Sequence, residues 1–378
     1  MIFGESSPAL PTGITVWLTV MPETQGADVT PNQTDHSGRT VLVMGASGFL
    51  GSHVTRHLVE RGDRVRVLLR HSSPTRPIEG LDVERHYGDI FDEQAVRAAM
   101  TGCDTVYYCV VDTRAWLRDP APLFRTNVDG LRRVLDIAIE QDLRRFVFTS
   151  TIGTIAVGDA RSPATEETPY NWNGRGGPYI ESRRAAEALV LDYSREHGLP
   201  AVAMCVANTY GPGDWQPTPH GSLVAMAALG RMPVYFRGIG SAVVDVDDAA
   251  AAMLLAAEHG RVGERYIVSE SFLTTREIYT AAAEAVGRKP PTLGIPPLLL
   301  VAAGRVGGVV RRVLRRDSPI TPTSVQLLRW TSPLDHGKAA RELHWRPRPT
   351  VDAIRRAARF YVERRTRRME PSRAGTAG

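Results

Sequence analysis

Cysteine is nearly absent from this chain, with Cys103, Cys109 and Cys205 alone among 378 residues. An odd number of widely separated thiols in apolar surroundings excludes a disulfide scaffold. It reads as buried free thiols in a reducing compartment, so a cytoplasmic location is expected. No run of 18 apolar residues occurs, which excludes a predicted spanning helix. The nearest approach, residues 296–310, is broken by Arg305 and by glycines. It predicts an amphipathic helix, and 296–316 is a candidate for peripheral membrane contact. Metal-ligand spacing is missing as well. His53 and His57 are four apart, but Val54 rather than Glu follows the first, unlike a zinc-protease helix. They read as two histidines on a helix surface, and no metal is expected. The net charge is +5, and arginines cluster at 311–316 and 364–368. Neither cluster carries the interleaved aromatics or reader motif of a nucleic-acid binder. A solvated basic face accounts for them, with no nucleic-acid partner.

What is present is an ordinary globular composition, 43% hydrophobic and 23% charged. Residues 1–38 carry Pro, Thr, Ser and Gly without period and read as a disordered leader. From residue 39 strand-like and helix-like segments alternate. Strands are predicted over 40–44, 64–70, 83–87, 105–110 and 145–149, and helices from the glycine segment 45–51 to about residue 61, over 92–100 and over 123–140. Apolar strands separated by helices indicate a parallel sheet covered on both faces, and right-handed crossovers make it doubly wound. The expected class is α/β: a Rossmann-type sheet over 39–205. A smaller, partly discontinuous C-terminal substrate lobe is expected over 206–362, with segments returning to the sheet, and a basic disordered tail over 363–378.

Gly45, Gly48 and Gly51 follow the first strand and open the first helix. That context suits a dinucleotide pyrophosphate. One glycine permits the turn, the second lets backbone N–H groups approach phosphate, and the third lets helix and strand pack closely. The helix N-terminus adds partial positive charge. Ser47, Phe49 and Leu50 complete the turn as candidate cofactor contacts. The second strand ends in Arg70 rather than an acid. A guanidinium there suits a ribose 2′-phosphate, so NADP is expected in preference to NAD.

Hydride transfer at a carbinol also needs a proton acceptor and a group that lowers that acceptor's pKa. Tyr179 and Arg183 lie four apart in a segment that begins a helix at Gly177-Pro178, so they share one face. Tyr179 is the candidate acid/base and Arg183 the candidate cation.

These segments together resemble the short-chain dehydrogenase/reductase superfamily. Tyr179 to Arg183, followed by Ala186-Glu187, is similar to that family's Tyr-x-x-x-Lys segment, with Arg in place of Lys. Met44 stands where the family has Thr before its first glycine. Asn127-Val128-Asp129-Gly130, Asn208-Thr209-Tyr210-Gly211-Pro212 and Val244-Asp245-Val246-Asp247-Asp248-Ala249 resemble the extended branch, the NAD-dependent epimerase/dehydratase family. In the last segment Asp245 replaces the family's His. The resemblance implies that Thr151, with Ser150 as the adjacent alternative, hydrogen-bonds the substrate oxygen. It implies that Arg183 bonds the nicotinamide ribose, that Asp89 and Ile90 meet adenine, that Asn127 belongs to the cofactor site, and that Asn208 approaches nicotinamide or substrate. Within the branch, the dihydroflavonol reductase-like and 3β-hydroxysteroid dehydrogenase-like group looks most similar. Trp116, Trp172 and Trp215 are expected to flank the pocket mouth, favouring an apolar or ring-shaped small-molecule substrate, with aromatic core packing the alternative for each. The expected activity is an NAD(P)-dependent oxidoreductase moving hydride between nicotinamide and a hydroxyl or carbonyl. A sugar-nucleotide epimerase or dehydratase with retained cofactor is one alternative, and a non-catalytic NADP-binding sensor or scaffold is another. A homodimer through 123–140 and 179–197 is implied by the same resemblance.

Overall fold

Alternating apolar side chains can be buried on both faces of a sheet only if helices cover each face, and the chain folds accordingly. The structure, a computed structural model, describes residues 38–314 and 321–369. The chain runs through β1 (Thr40–Met44), α1 (Phe49–Arg61), β2 (Arg64–Leu69), β3 (Glu84–Tyr87), α2 (Glu93–Met100) and β4 (Thr105–Tyr108). It continues through α3 (Ala121–Phe124), α4 (Leu131–Ala138), β5 (Arg145–Thr151), α5 (Gly177–His197) and β6 (Ala201–Val206). Next come β7 (Asn208–Tyr210), α6 (Pro219–Ala228), β8 (Val234–Phe236), β9 (Gly240–Asp245), α7 (Val246–His259), β10 (Arg265–Val268) and β11 (Ser271–Thr274). The last elements are α8 (Thr275–Glu284), β12 (Leu293–Ile295), α9 (Pro297–Leu314), α10 (Pro322–Arg329), α11 (Gly337–Glu342) and α12 (Thr350–Met369).

Seven strands form one sheet in the order β10-β6-β5-β4-β1-β2-β3, every neighbouring pair parallel. The order reverses between β1 and β4, so the crevice beyond their carboxyl ends is a topological switch point, where ligands of open α/β sheets bind. The period of two sorts the core. Val41, Val43, Val65, Val67 and Val147 face the layer containing α1 and α7. Leu42, Met44, Val106, Tyr108, Phe146 and Phe148 face α2, α4 and α5. Each fully buried side chain of this size contributes about 1.5–3 kcal/mol. β10 and α7 join this layered sheet from well beyond residue 205. The strands β7, β9 and β11 form a second sheet, and β8 pairs with β12. A separate apolar cluster, including Val224, Ile278, Ala282, Ile354 and Ala358, ties α6, α8 and α12 together.

Three expectations are corrected. The continuous helix over 123–140 is interrupted by a π-helical turn at Arg125–Gly130. The turn lets Asn127 reach across to Asp112, and Gly130 lies so close to Ile90 that a Cβ there would sit 2.4 Å from its Cδ1. Such π-turns are frequent at functional sites. Residues 363–369, expected in a tail, continue α12; the remainder of that tail and the leader through residue 37 lie outside the described residues. His53 is buried rather than on the surface, for reasons given below. Cys103 and Cys205 are buried free thiols and Cys109 is half-buried. No helix among the described residues is long and apolar enough to cross a membrane.

Candidate active site

The glycine turn occupies the switch point. Gly45 has φ +88°, and a Cβ there would lie 2.8 Å from the Cys109 carbonyl carbon, so its bareness lets the ends of β1 and β4 close together. A Cβ on Gly51 would lie 2.2 Å from the Gly45 carbonyl oxygen. Gly48 N–H donates to that same oxygen at 2.9 Å, and Gly48 caps α1 without any side-chain hydrogen bond. The first amides of α1, from Phe49 and Leu50 onward, are therefore left for an external anion. Ser47 is half-buried on the turn and Gly48 is exposed.

Around this turn stand the ends of β2 and β3. Arg70 is exposed, and its backbone is fixed by Ser73, whose hydroxyl accepts from the Arg70 N–H at 3.1 Å. Asp89 accepts the Phe91 N–H at 3.1 Å, while Ile90 is buried against Gly130. Asp89 and Phe91, with Pro122, Arg125 and Thr126, line a cavity of about 470 Å³.

The other half of the site is one face of α5. Tyr179, Arg183 and Glu187 recur every four residues along it. Arg183 is 1% exposed, donates through Nη2 to the Thr149 carbonyl, and lies 5.2 Å from the Phe148 ring centroid. Its Nε and Nη1, and the Tyr108 hydroxyl, are buried without a partner among the described residues. Burial pushes the Tyr179 phenol above its ordinary pKa; the nearby Arg183 opposes this and Asp112 reinforces it. Burial likewise pulls the Arg183 guanidinium down, against the two phenols Tyr179 and Tyr108.

Strand alternation separates Ser150 from Thr151. Ser150 points into the core and donates to Glu187, whereas the half-buried Thr151 uses its oxygen to accept from the Gly153 N–H at 3.2 Å. Asn127 is committed to the protein: its Oδ1 accepts from Asp112 N–H at 2.8 Å, and its Nδ2 donates to the Asp112 carbonyl and to Ser182 Oγ at 3.0 Å. It braces the loop after β4 against α5. Asn208 donates to Ser241 Oγ at 3.0 Å. Trp172 is buried and donates to the Ile155 carbonyl, and Trp215 is packed between Arg76 and Phe360. Trp116 is half-buried.

Sequence reasoning missed the function of Glu187. It accepts from Ser150, Thr154 at 2.7 Å and Cys205 at 3.3 Å, and pairs with Arg265 at 3.1 Å. One carboxylate thus ties β5, β6 and β10 to α5 beneath Arg183. Its four-residue spacing from Arg183 was the available signal. Asp245 was noted as a replacement for His, but its partners were not foreseen. It is 1% exposed, caps α7 and pairs with Arg348 at 3.2 Å and Arg356 at 2.5 Å.

The residues present fit a dinucleotide. The turn is a cradle that a Cβ would fill, α1 has no side-chain cap, and two buried Arg183 donors have no partner among the described residues. A doubly wound sheet with this turn at its switch point, facing a Tyr and a cation on one helix face, defines a nicotinamide-dependent enzyme of the extended short-chain type. The chain belongs to the NAD-dependent epimerase/dehydratase family, whose model matches residues 41–269. It is similar to sterol demethylase protein B of Methylococcus capsulatus, 30% identical over 328 residues, 86% of this chain and 99% of that one. It is also similar to 2-alkyl-3-oxoalkanoate reductase of Stenotrophomonas maltophilia, 31% identical over 297 residues, 74% and 86% of the two chains. Among solved structures, that of gox2253 has a TM-score of 0.76 at 31% identity, covering 86% of this chain and 98% of that one. The chain is an NAD(P)-dependent enzyme.

Proposed function

We propose that this protein is an NADP(H)-dependent reductase or dehydrogenase acting on a carbonyl or hydroxyl of a largely apolar small molecule. The observation that carries the reading is the α5 face: the half-buried Tyr179, with the buried Arg183 guanidinium one turn on, two of whose nitrogens have no partner among the described residues. Bound nicotinamide supplies or accepts the hydride. Tyr179 gives its proton to the carbonyl oxygen in reduction, or takes it from the hydroxyl in oxidation. Arg183 favours the phenolate over the phenol, since a cation stabilises the charged form. Thr151, at the half-buried end of β5, orients the substrate oxygen. The amides of Phe49 and Leu50 and the bare Gly45, Gly48 and Gly51 hold pyrophosphate, with Asp89 and Ile90 at the adenine end. Arg70, with no acid beside it on β2, favours a 2′-phosphate. Relatives named as reductases of 2-alkyl-3-oxoalkanoates and of dihydroflavonols support carbonyl chemistry.

The test is Tyr179→Phe assayed beside the wild type on a panel of 3-oxo acids and hydroxysteroids, with NADPH and NADH titrated into both proteins. Turnover should fall by about 10²-fold or more, the scale of lost acid/base catalysis, with cofactor affinity retained and NADPH bound more tightly than NADH. Undiminished turnover would remove Tyr179 from the chemistry, and a preference for NADH would remove the part given to Arg70.

A further inference from the structure

A cavity of about 490 Å³ lies where the loop leading into α5 meets α9 and α10, in the size range of drug-sized ligand sites. Its walls pair apolar surface with charge at helical spacing. Val301 and Arg305 are four apart on α9, and Val325 and Arg329 four apart on α10. Arg175 and Trp330 complete it, with the Arg175 guanidinium 4.4 Å from the Trp330 ring centroid. The helices approach closely because α9 presents glycine: a Cβ on Gly304 would lie 2.8 Å from Val325.

Three cations therefore surround one apolar-walled space. None of Arg175, Arg305 and Arg329 has a carboxylate within ion-pairing distance among the described residues. The Trp330 indole nitrogen is buried without a partner among those residues. Solvated arginines need no ligand, but a buried indole N–H has lost its water without gaining an acceptor. An anion entering the cavity would neutralise the like charges of the exposed Arg175, Arg305 and Arg329, and the guanidinium fork suits carboxylate and phosphate alike.

The cavity is also tied to the candidate active site. Arg175 is four residues before Tyr179, so their Cα atoms are within about 14 Å at the chain's greatest reach. The loop is pinned there: a Cβ on Gly177 would lie 2.6 Å from Thr323 of α10. We propose that this cavity receives an anionic group, carboxylate or phosphate, carried on the apolar body of the substrate. The proposal rests on the reading of Tyr179 as the reacting end.

The experiment measures binding without turnover, so its outcome is separable from that of Tyr179→Phe. Submicellar dodecanoate, dodecyl phosphate and dodecanol are titrated by calorimetry into the wild type and into Arg305→Glu/Arg329→Glu. The two anions should bind the wild type at least about tenfold more tightly than the alcohol, the scale of a charge-assisted pair. The charge-reversed variant should lose that advantage and keep its NADPH affinity. The milder Arg329→Gln, expected to lose part of it, covers a failure of the double variant to fold. The relative affinity of the two anions identifies the head group. Equal affinity for acid and alcohol, or unchanged binding in both variants, overturns the proposal. So does sedimentation with phosphatidylglycerol vesicles in the absence of monomer binding, which would assign the basic face to a bilayer.

Discussion

At the scale of single residues, the replacement of Lys by Arg at position 183 changes the chemistry available to Tyr179. An ammonium can pass on a proton, whereas a guanidinium is effectively never deprotonated. In the proposed mechanism Arg183 therefore acts through charge and through its Nε and Nη1, which have no partner among the described residues. Burial raises the phenol's pKa and Arg183 restrains that rise, so removing the charge must move the pKa further up. Arg183→Gln should shift the alkaline limb of the kcat/KM profile to higher pH and lower the rate at neutral pH by about tenfold or more. A limb that stays in place would show that the guanidinium holds position without tuning the phenol. The Tyr179–Arg183 pair was legible in sequence because four residues along a helix always share a face. The bracing by Asn127 was not, because its partners Asp112 and Ser182 are brought to it by two other segments.

At the scale of elements, the join between β1 and α1 depends on missing side chains. A Cβ at position 51 would meet the Gly45 carbonyl oxygen at 2.2 Å, and that neighbour is backbone. Nothing there can rotate aside. Gly51→Ala should destabilise the fold by about 1–3 kcal/mol, the usual range for overpacking, read as a lower urea midpoint, and should weaken NADPH binding as the turn is displaced. The existence of α1 and its end at Arg61 were readable from apolar period and flanking glycines. The π-turn inside the predicted helix was not. It arises where Asn127 and Gly130 meet the loops after β4 and β3, and no local propensity encodes that meeting.

At the scale of the whole molecule, α1 is tied to α7 and to the loop after β7 by a buried histidine. His53 Nδ1 lies 2.6 Å from Asp247 Oδ1 and its Nε2 lies 3.0 Å from the Pro212 carbonyl, while His57 reaches the same carboxylate at 3.4 Å. Burial alone would raise the Asp247 pKa, but the hydrogen bonds and charges of His53 and His57 outweigh it and hold the carboxyl far below its ordinary range. A carboxylate depressed in the folded state stabilises fully above its unfolded pKa, about 3.9. That stabilisation is lost as pH falls through the folded value. Asp247→Asn should cost about 1.5–3 kcal/mol at pH 7, with a smaller deficit at pH 3 than at pH 7, compared by urea midpoints. Equal deficits at both values would mean that the link carries no charge-dependent stability.

Short-range pattern was enough for the α/β class, the glycine turn between β1 and α1, and the shared helix face of Tyr179 and Arg183, since strand period, helix period and turn chemistry act over a few neighbouring residues. The sequence also placed the late amphipathic helix. Tertiary structure decided what those parts work against. Only the folded sheet brings Glu187 to Ser150, Cys205 and Arg265, joins His53 to Asp247, and gathers Arg175, Arg305 and Arg329 around one cavity. These groups lie between 18 and 194 residues apart, and their proximity follows from strand order and helix docking, which a local reading does not contain.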